Sequence, residues 1–301
     1  MKIEALRESV TARIVKALET GVKPWSAGWD GQGYVGRPLR YNGGAYRGIN
    51  VLMLWMAATQ FEFQSPYWMT FRQAGALEAR ICKGAKGTPV IVYKPLGPSD
   101  DEHEVESSPA RRGFSRTYHV FNAEQIEGLP DHFYPARAAD GAPRQHDALS
   151  AYDALMSFHQ PHYEEGPQPC YIPARDVVRW PAIGAFHSPQ DHLATACHEL
   201  AHWSGAGQRL ARDGIIHAID KQRYAYEELV AELAAAFMGA SFGILGKQID
   251  DHASYIAAWI RLLKDPGIIF RAAADAERAC DFLITPTVCD ALAPNLCEVA
   301  T

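Results

Sequence analysis

The chain has 301 residues, 48% of them hydrophobic, which is enough for two domains of ordinary size with real cores. No apolar run reaches the roughly 18 residues that a membrane span needs, and the charged first twenty residues lack the apolar core of a secretory leader. The net charge of −6 conceals a split: 13 Lys and Arg face 6 Asp and Glu over residues 1–97, 3 face 7 over 98–127, and 13 face 22 over 128–301, nets of +7, −4 and −9. A basic front joined to an acidic back points to an anionic partner for the front alone. Cys82, Cys170, Cys197, Cys280, Cys289 and Cys297 form no Cys-x-x-Cys pair, a pattern that suits buried thiols in a reducing compartment better than a disulfide frame.

In chain order, Ile3, Leu6, Val10, Ile14 and Leu18 recur at helical spacing until Gly21 ends the run. Residues 23–44 are rich in Gly, Pro and aromatics and read as loop. Residues 47–60 read as a buried helix and 70–79 as a short one. Val90–Tyr93 and Thr117–Phe121 read as strands, with a charged, aperiodic excursion over 97–109 between them. Pro130 to Gln145 is the favoured boundary, so the expected organisation is a domain over 1–130, a linker over 131–145 and a second domain over 146–301.

The front half interleaves rings with cations. Trp25, Trp29, Tyr34, Tyr41 and Tyr46 fall in Gly-rich segments beside Lys23, Arg37, Arg40 and Arg47, and Trp68 follows shortly after. Rings on which bases stack and cations that track phosphates are what single-stranded nucleic acid binding needs. The competing reading is that these rings form a core, and for Trp55, inside an apolar helix, that reading wins. Lys83-Gly-Ala-Lys86-Gly offers two cations and exposed backbone N–H groups for phosphate contact.

The back half carries His198-Glu199-Leu-Ala-His202. On a helix the two histidines lie one turn apart on one face and reach a single ion, while Glu199 beside them is placed to deprotonate a metal-bound water. Ser188-Pro189-Gln-Asp191 is a helix start, and Gly205 and Gly207 are stops. Cys197 points away from a ligand role and reads as core. The third ligand is sought on the next helical run, Tyr224–Met238, where Glu228 and Glu232 share a face. The site resembles the gluzincin pattern, which makes Glu228 the ligand and Glu232 the acid that orients a histidine; spacing alone leaves the reverse open. Glu227 reads as facing elsewhere, into solvent. The expected ion is Zn²⁺ with water in the fourth place, and the donor set also accepts Mn²⁺ or another divalent metal.

Pro24-Trp25, Arg37-Pro38, Tyr46-Arg-Gly-Ile-Asn50, Trp68-Met-Thr-Phe71, Lys83–Gly87 and Val120–Gly128 together resemble the N-terminal single-stranded-DNA-binding domain of ArdC-type antirestriction proteins, also found at the front of TraC-type conjugative primases. Thr195–Gly205, Arg209-Leu210 and Glu227–Glu232 resemble the metallopeptidase domain of the same family, and Tyr255–Ile260 and Phe270–Ala276 its closing helices. The resemblance implies an α+β protein: a mixed front domain of helices and a small antiparallel sheet, then a mainly helical zincin-like domain. It implies a plasmid-encoded cytoplasmic protein that binds single-stranded DNA and protects entering conjugative DNA from restriction. The DNA-binding set is then Trp25, Trp29, Tyr34, Tyr41, Tyr46, Arg47, Asn50, Trp68, Lys83 and Lys86. A host restriction-system protein is the alternative target, cleaved at the metal site.

Overall fold

A computed structural model describes residues 3–26, 36–95, 113–134, 147–217, 220–244, 253–285 and 287–288. Trp29, Tyr34, the 97–109 excursion and residues 135–145 of the expected linker lie outside the described residues.

The front half opens with α1 (Ile3–Glu19), whose periodic Leu6, Val10, Ile14 and Leu18 are buried. A 3-10 turn over Pro24–Ser26 carries Trp25, and β1 (Leu39–Arg40) follows. In α2 (Ile49–Phe61) all but one of the first seven residues are buried, as a helix apolar on every side must be. β2 (Tyr67–Thr70) runs into α3 (Phe71–Ala76), which Thr70 and Gln73 start with a reciprocal capping box. β3 (Arg80–Ile81), β4 (Thr88–Pro95), β5 (Gly113–Asn122) and β6 (Ile126–Glu127) complete this half. The main sheet has the order β1-β2-β5-β4, antiparallel except for β1 on β2, with Thr70 opposite Val120 and Thr88 on its other side. β3 and β6 pair separately. Residues 131–134, the first of the expected linker, still belong here: Phe133 is buried and its carbonyl accepts the Ser65 hydroxyl at 2.6 Å.

The back half adds α4 (Ala148–His159) and a three-stranded sheet of β7 (His162–Glu165), β8 (Cys170–Ile172) and β9 (Val177–Trp180). Its order is β7-β9-β8, with β8 as an antiparallel edge strand. Among the described residues five α-helices follow: α5 (Pro189–Ser204), α6 (Asp213–Ile216), α7 (Lys221–Phe242), α8 (Ala253–Leu262) and α9 (Ile268–Leu283). The small sheet covers one side of α5, while α7 packs against α5, α8 and α9. The α+β class and the mainly helical back half hold. Among the described residues no helix is long and apolar enough to cross a membrane.

The halves share their main core, beside a smaller cluster of the front half alone around Met69, Ile126 and Phe133. Leu6, Trp25, Leu52 and Trp55 join Leu200, Phe237, Trp259 and Ala273 in one buried cluster, with α1 against α8 and α2 against α9. The contact also carries charge. The Arg37 guanidinium is 2.7 Å from Glu277 of α9, Arg47 reaches both Glu277 and Asp281, and Lys23 is 3.1 Å from Glu232 of α7. Part of the basic front therefore neutralises the acidic back within one molecule, a use of the charge split beside the anionic partner expected for the front.

Candidate metal centre

α5 begins as its sequence dictates. The Ser188 hydroxyl accepts the Asp191 N–H at 3.2 Å and Pro189 takes the first helical position, where its missing donor costs nothing. The 3.6-residue repeat then sets His198 and His202 on one face, with Nε2 atoms 3.1 Å apart. α7 starts on an Asp220 cap and crosses α5 so that Glu228 faces both rings: its carboxylate oxygens lie 3.6 Å from each Nε2. All three residues are buried, and their ligand atoms lie within 4.8 Å of one another.

These distances suit a metal. Two donors each 2.0–2.1 Å from a tetrahedral ion stand about 3.4 Å apart, and the separations here bracket that value. Burial alone would raise the Glu228 pKa, but His202 and His198 outweigh it and hold the carboxyl far below its usual range, so it is an anion ready to ligate. Glu199 is buried next to His198 and faces β8; burial and the Glu199 charge together push the Cys170 thiol up.

Three residues around the cradle escaped the sequence reading. Glu227, expected in solvent, is fully buried and lies 3.3 Å from His202 Nδ1. The two nitrogens of one imidazole point to opposite sides, so neighbouring residues on α7 flank the ring, Glu228 at Nε2 and Glu227 at Nδ1. Arg212 donates two parallel hydrogen bonds to Glu227, at 2.9 and 2.6 Å, and these with His202 hold its carboxyl below its usual range against the opposing effect of burial. Tyr224, one turn before Glu228, bonds that carboxylate, and burial followed by the Glu228 charge keeps the phenol protonated far beyond its ordinary range. The Glu227–Glu228 dipeptide was visible in the chain; nothing in its spacing announced Arg212.

Glu232 is not at His202 Nδ1, where Glu227 stands. It accepts the Trp25 indole N–H at 3.2 Å and the Lys23 ammonium at 3.1 Å, tying α7 to the front half. This displaces Trp25 from the stacking set: it is 1% exposed and packs edge-on against Trp259 at 5.7 Å. Trp68 is equally buried, and Tyr46 is buried under Arg40, its phenol pushed up to about 12 by burial. Asn50 pins β4 by bonding both the N–H and the carbonyl of Ile91 at 2.8 Å. Arg47 keeps half its surface but is held by Asp281 and Glu277. For rings in Gly-rich loops the sequence left stacking surface and core both open; for Trp25 the back half supplies the apolar cover, and Trp68 packs edge-on against Phe63 of its own half. Of the expected contacts Tyr41, Lys83, Lys86 and the ion-paired Arg47 remain exposed, and Phe71, Arg72 and Tyr118 join them as exposed groups of the same half.

With this geometry in hand, the likeness to known proteins is specific. Residues 4–121 match the N-terminal domain of anti-restriction factor ArdC, and residues 152–275 match a zincin-like metallopeptidase. The metal-free crystal structure of the antirestriction ArdC protein from plasmid R388 superposes with a TM-score of 0.76 and 34% identity, over 95% of this chain and 98% of that one. This chain belongs to the ArdC antirestriction family. The Mn(II)-bound ArdC structure from R388 aligns with a TM-score of 0.73 and 33% identity over 96% of this chain and 99% of that one. An uncharacterized protein, y4eC, of Sinorhizobium fredii (strain NBRC 101917 / NGR234) is 32% identical over 92% of this chain and 90% of its own length. The DNA primase TraC of Escherichia coli is 36% identical over 92% of this chain, which spans 27% of that protein's length. A divalent-metal site in this ArdC relative thus agrees with the Mn(II)-bound neighbour and with the converging donors.

Proposed function

We propose that this protein protects entering plasmid DNA from restriction by binding it as a single strand, in the cytoplasm, and that His198, His202 and Glu228 hold a divalent ion, Zn²⁺ or Mn²⁺. The observation that supports the reading best is likeness to an antirestriction protein along nearly the whole chain, with the donor cluster intact. The DNA surface lies on the front half and uses the exposed Tyr41, Lys83 and Lys86, with Phe71, Arg72 and Tyr118 as further rings and cations. An ion in the cradle would act as a Lewis acid and acidify a bound water. Glu199 is the residue placed to accept a proton beside it, and Tyr224 holds a hydroxyl against Glu228.

A second reading, a metallopeptidase that cleaves a host restriction-system protein, draws support from Glu199 being buried directly beside the ligands. Transfer of a plasmid carrying restriction sites into restricting and non-restricting recipients separates the two. Under the first reading Glu199→Ala retains most protection, while Tyr41→Ala with Lys83→Ala and Lys86→Ala loses it. If Glu199→Ala loses as much protection as deletion of the protein, proteolysis is the mechanism.

A further inference from the structure

Two glycines near the cradle occupy backbone that other residues adopt freely. Gly205 closes α5 at φ −81°, in the ordinary right-handed region. A Cβ there would lie 2.6 Å from Arg212 Nη2, 2.8 Å from Arg212 Cζ and 2.8 Å from Ile215 Cγ1. Gly214 sits inside α6, and a Cβ on it would lie 2.5 Å from the Cβ of Glu227 and 2.8 Å from the Arg223 carbonyl oxygen. Neither position has room for a side chain, and the space each leaves is taken by one partner of the Arg212–Glu227 pair.

The guanidinium is committed on every side. Besides the two bonds to Glu227, Nη1 donates to the Ser204 hydroxyl at 2.9 Å and Nη2 donates to the Ala201 carbonyl. The last turn of α5 leaves carbonyls that its own helix cannot satisfy, and Arg212 supplies a donor to one of them. Arg212 is 8% exposed and Glu227 fully buried. A buried ion pair of this kind seldom stabilises a fold more than apolar side chains of the same volume would. Its other consequence is local: Glu227 is held 3.3 Å from His202 Nδ1, where a carboxylate accepts the Nδ1–H and leaves the Nε2 lone pair turned to His198 and Glu228. Because Arg212 balances Glu227, this acceptor adds no net charge to the cradle.

We propose that Arg212 and Glu227 are positioning residues for the metal centre, and that Gly205 and Gly214 are the openings through which they reach His202. The proposal rests on the divalent-metal reading above and adds what fixes the tautomer and orientation of one ligand. A bidentate guanidinium is required, because a lysine supplies the charge without the fork.

The test uses the full chain and three variants: Arg212→Lys, Glu227→Gln and Gly205→Ala. Mn²⁺ and Zn²⁺ affinities are measured by calorimetry, and the visible spectrum of bound Co²⁺ reports the ligand geometry. Each variant is expected to bind metal roughly 10–100-fold more weakly, with a changed Co²⁺ spectrum. Gly205→Ala removes no polar group and acts only by crowding the Arg212 guanidinium, so it also serves if the other variants fail to fold. Combined with Arg212→Lys, it should cost little beyond the single change, since both disturb one contact. Arg209→Lys is the control. This arginine of the same loop stacks on Trp203 at 3.8 Å and bonds Asp176, so its loss should lower the melting temperature and leave metal affinity unchanged. Folded variants with the affinity and Co²⁺ spectrum of the unaltered chain would overturn the clamp. An unaltered chain that takes up no metal would overturn the metal reading beneath it.

Discussion

Replacing Trp25 by alanine separates two meanings of an aromatic residue in a basic, loop-rich segment. As a base-stacking ring it would cost about 1–3 kcal/mol of DNA affinity and little stability. The structure assigns it to the core instead: it is 1% exposed, edge-on to Trp259, and its N–H is on Glu232. Burying roughly 200 Å² of indole at about 25 cal/mol per Å² stabilises by about 5 kcal/mol, at the top of the 3–5 kcal/mol that such truncations cost. The lost bond to a buried carboxylate adds about 1 kcal/mol or more. A typical domain has about 5–15 kcal/mol in all, so Trp25→Ala should be barely folded. Trp25→Phe is the sharper probe. It keeps a ring and removes the N–H, so urea unfolding should shift by about 1–2 kcal/mol while binding of a fluorescent single-stranded oligonucleotide by the folded protein stays within twofold. A Trp25→Ala protein as stable as the unaltered chain to within 1 kcal/mol, but defective in oligonucleotide binding, would refute this reasoning.

Further outcomes follow from the same geometry. Ser188→Ala removes the cap of α5 and should lower stability by about 1 kcal/mol in urea unfolding, without changing metal affinity. Arg37→Met removes the nearer of two arginines on the buried Glu277, leaving Arg47 and the Gly48 N–H, and should cost about 1–3 kcal/mol in urea unfolding. The Asp176 carboxyl is held below its ordinary 3.8, mainly by its bond to Arg209 against a smaller opposing effect of burial. A depressed carboxyl stabilises the fold above pH 3.8 and loses that contribution as the pH falls below it. The destabilisation by Asp176→Asn, read by thermal melts, should therefore be full at pH 7 and fade as the pH drops below 3.8.

What was legible in the chain was what local chemistry decides. The repeat in α1, the cap and Pro at Ser188–Pro189, and the one-turn spacing of His198 and His202 need only neighbours within a few residues, and each appears where the pattern put it. The pairing of Glu228 with both histidines was one of two readings that spacing allowed. Glu227 could not be told from a solvated acid, because its burial depends on Arg212 arriving from another loop. Trp25 failed for a related reason: a Gly-rich flank signals irregular backbone and says nothing about whether α7 and α8 cover it, while Trp68 and Tyr46 are buried among residues of their own half such as Phe63 and Arg40. The three-stranded sheet β7-β9-β8 was also missed, its strands being only three or four residues long and two of them, β7 and β8, only partly buried. The charge split was real, yet Lys23–Glu232 and Arg37–Glu277 give it an internal use that no one-dimensional sum can reveal.

The central claim, that His198, His202 and Glu228 form one divalent-metal centre, is tested most directly by metal stoichiometry in purified full-length protein. After stripping and reloading with Mn²⁺ or Zn²⁺, elemental analysis should find about one ion per chain, lost in His202→Ala and Glu228→Gln and kept in Glu232→Gln, which touches Lys23 and Trp25 instead. Equal metal in all four proteins, or loss in Glu232→Gln with retention in Glu228→Gln, would contradict the account.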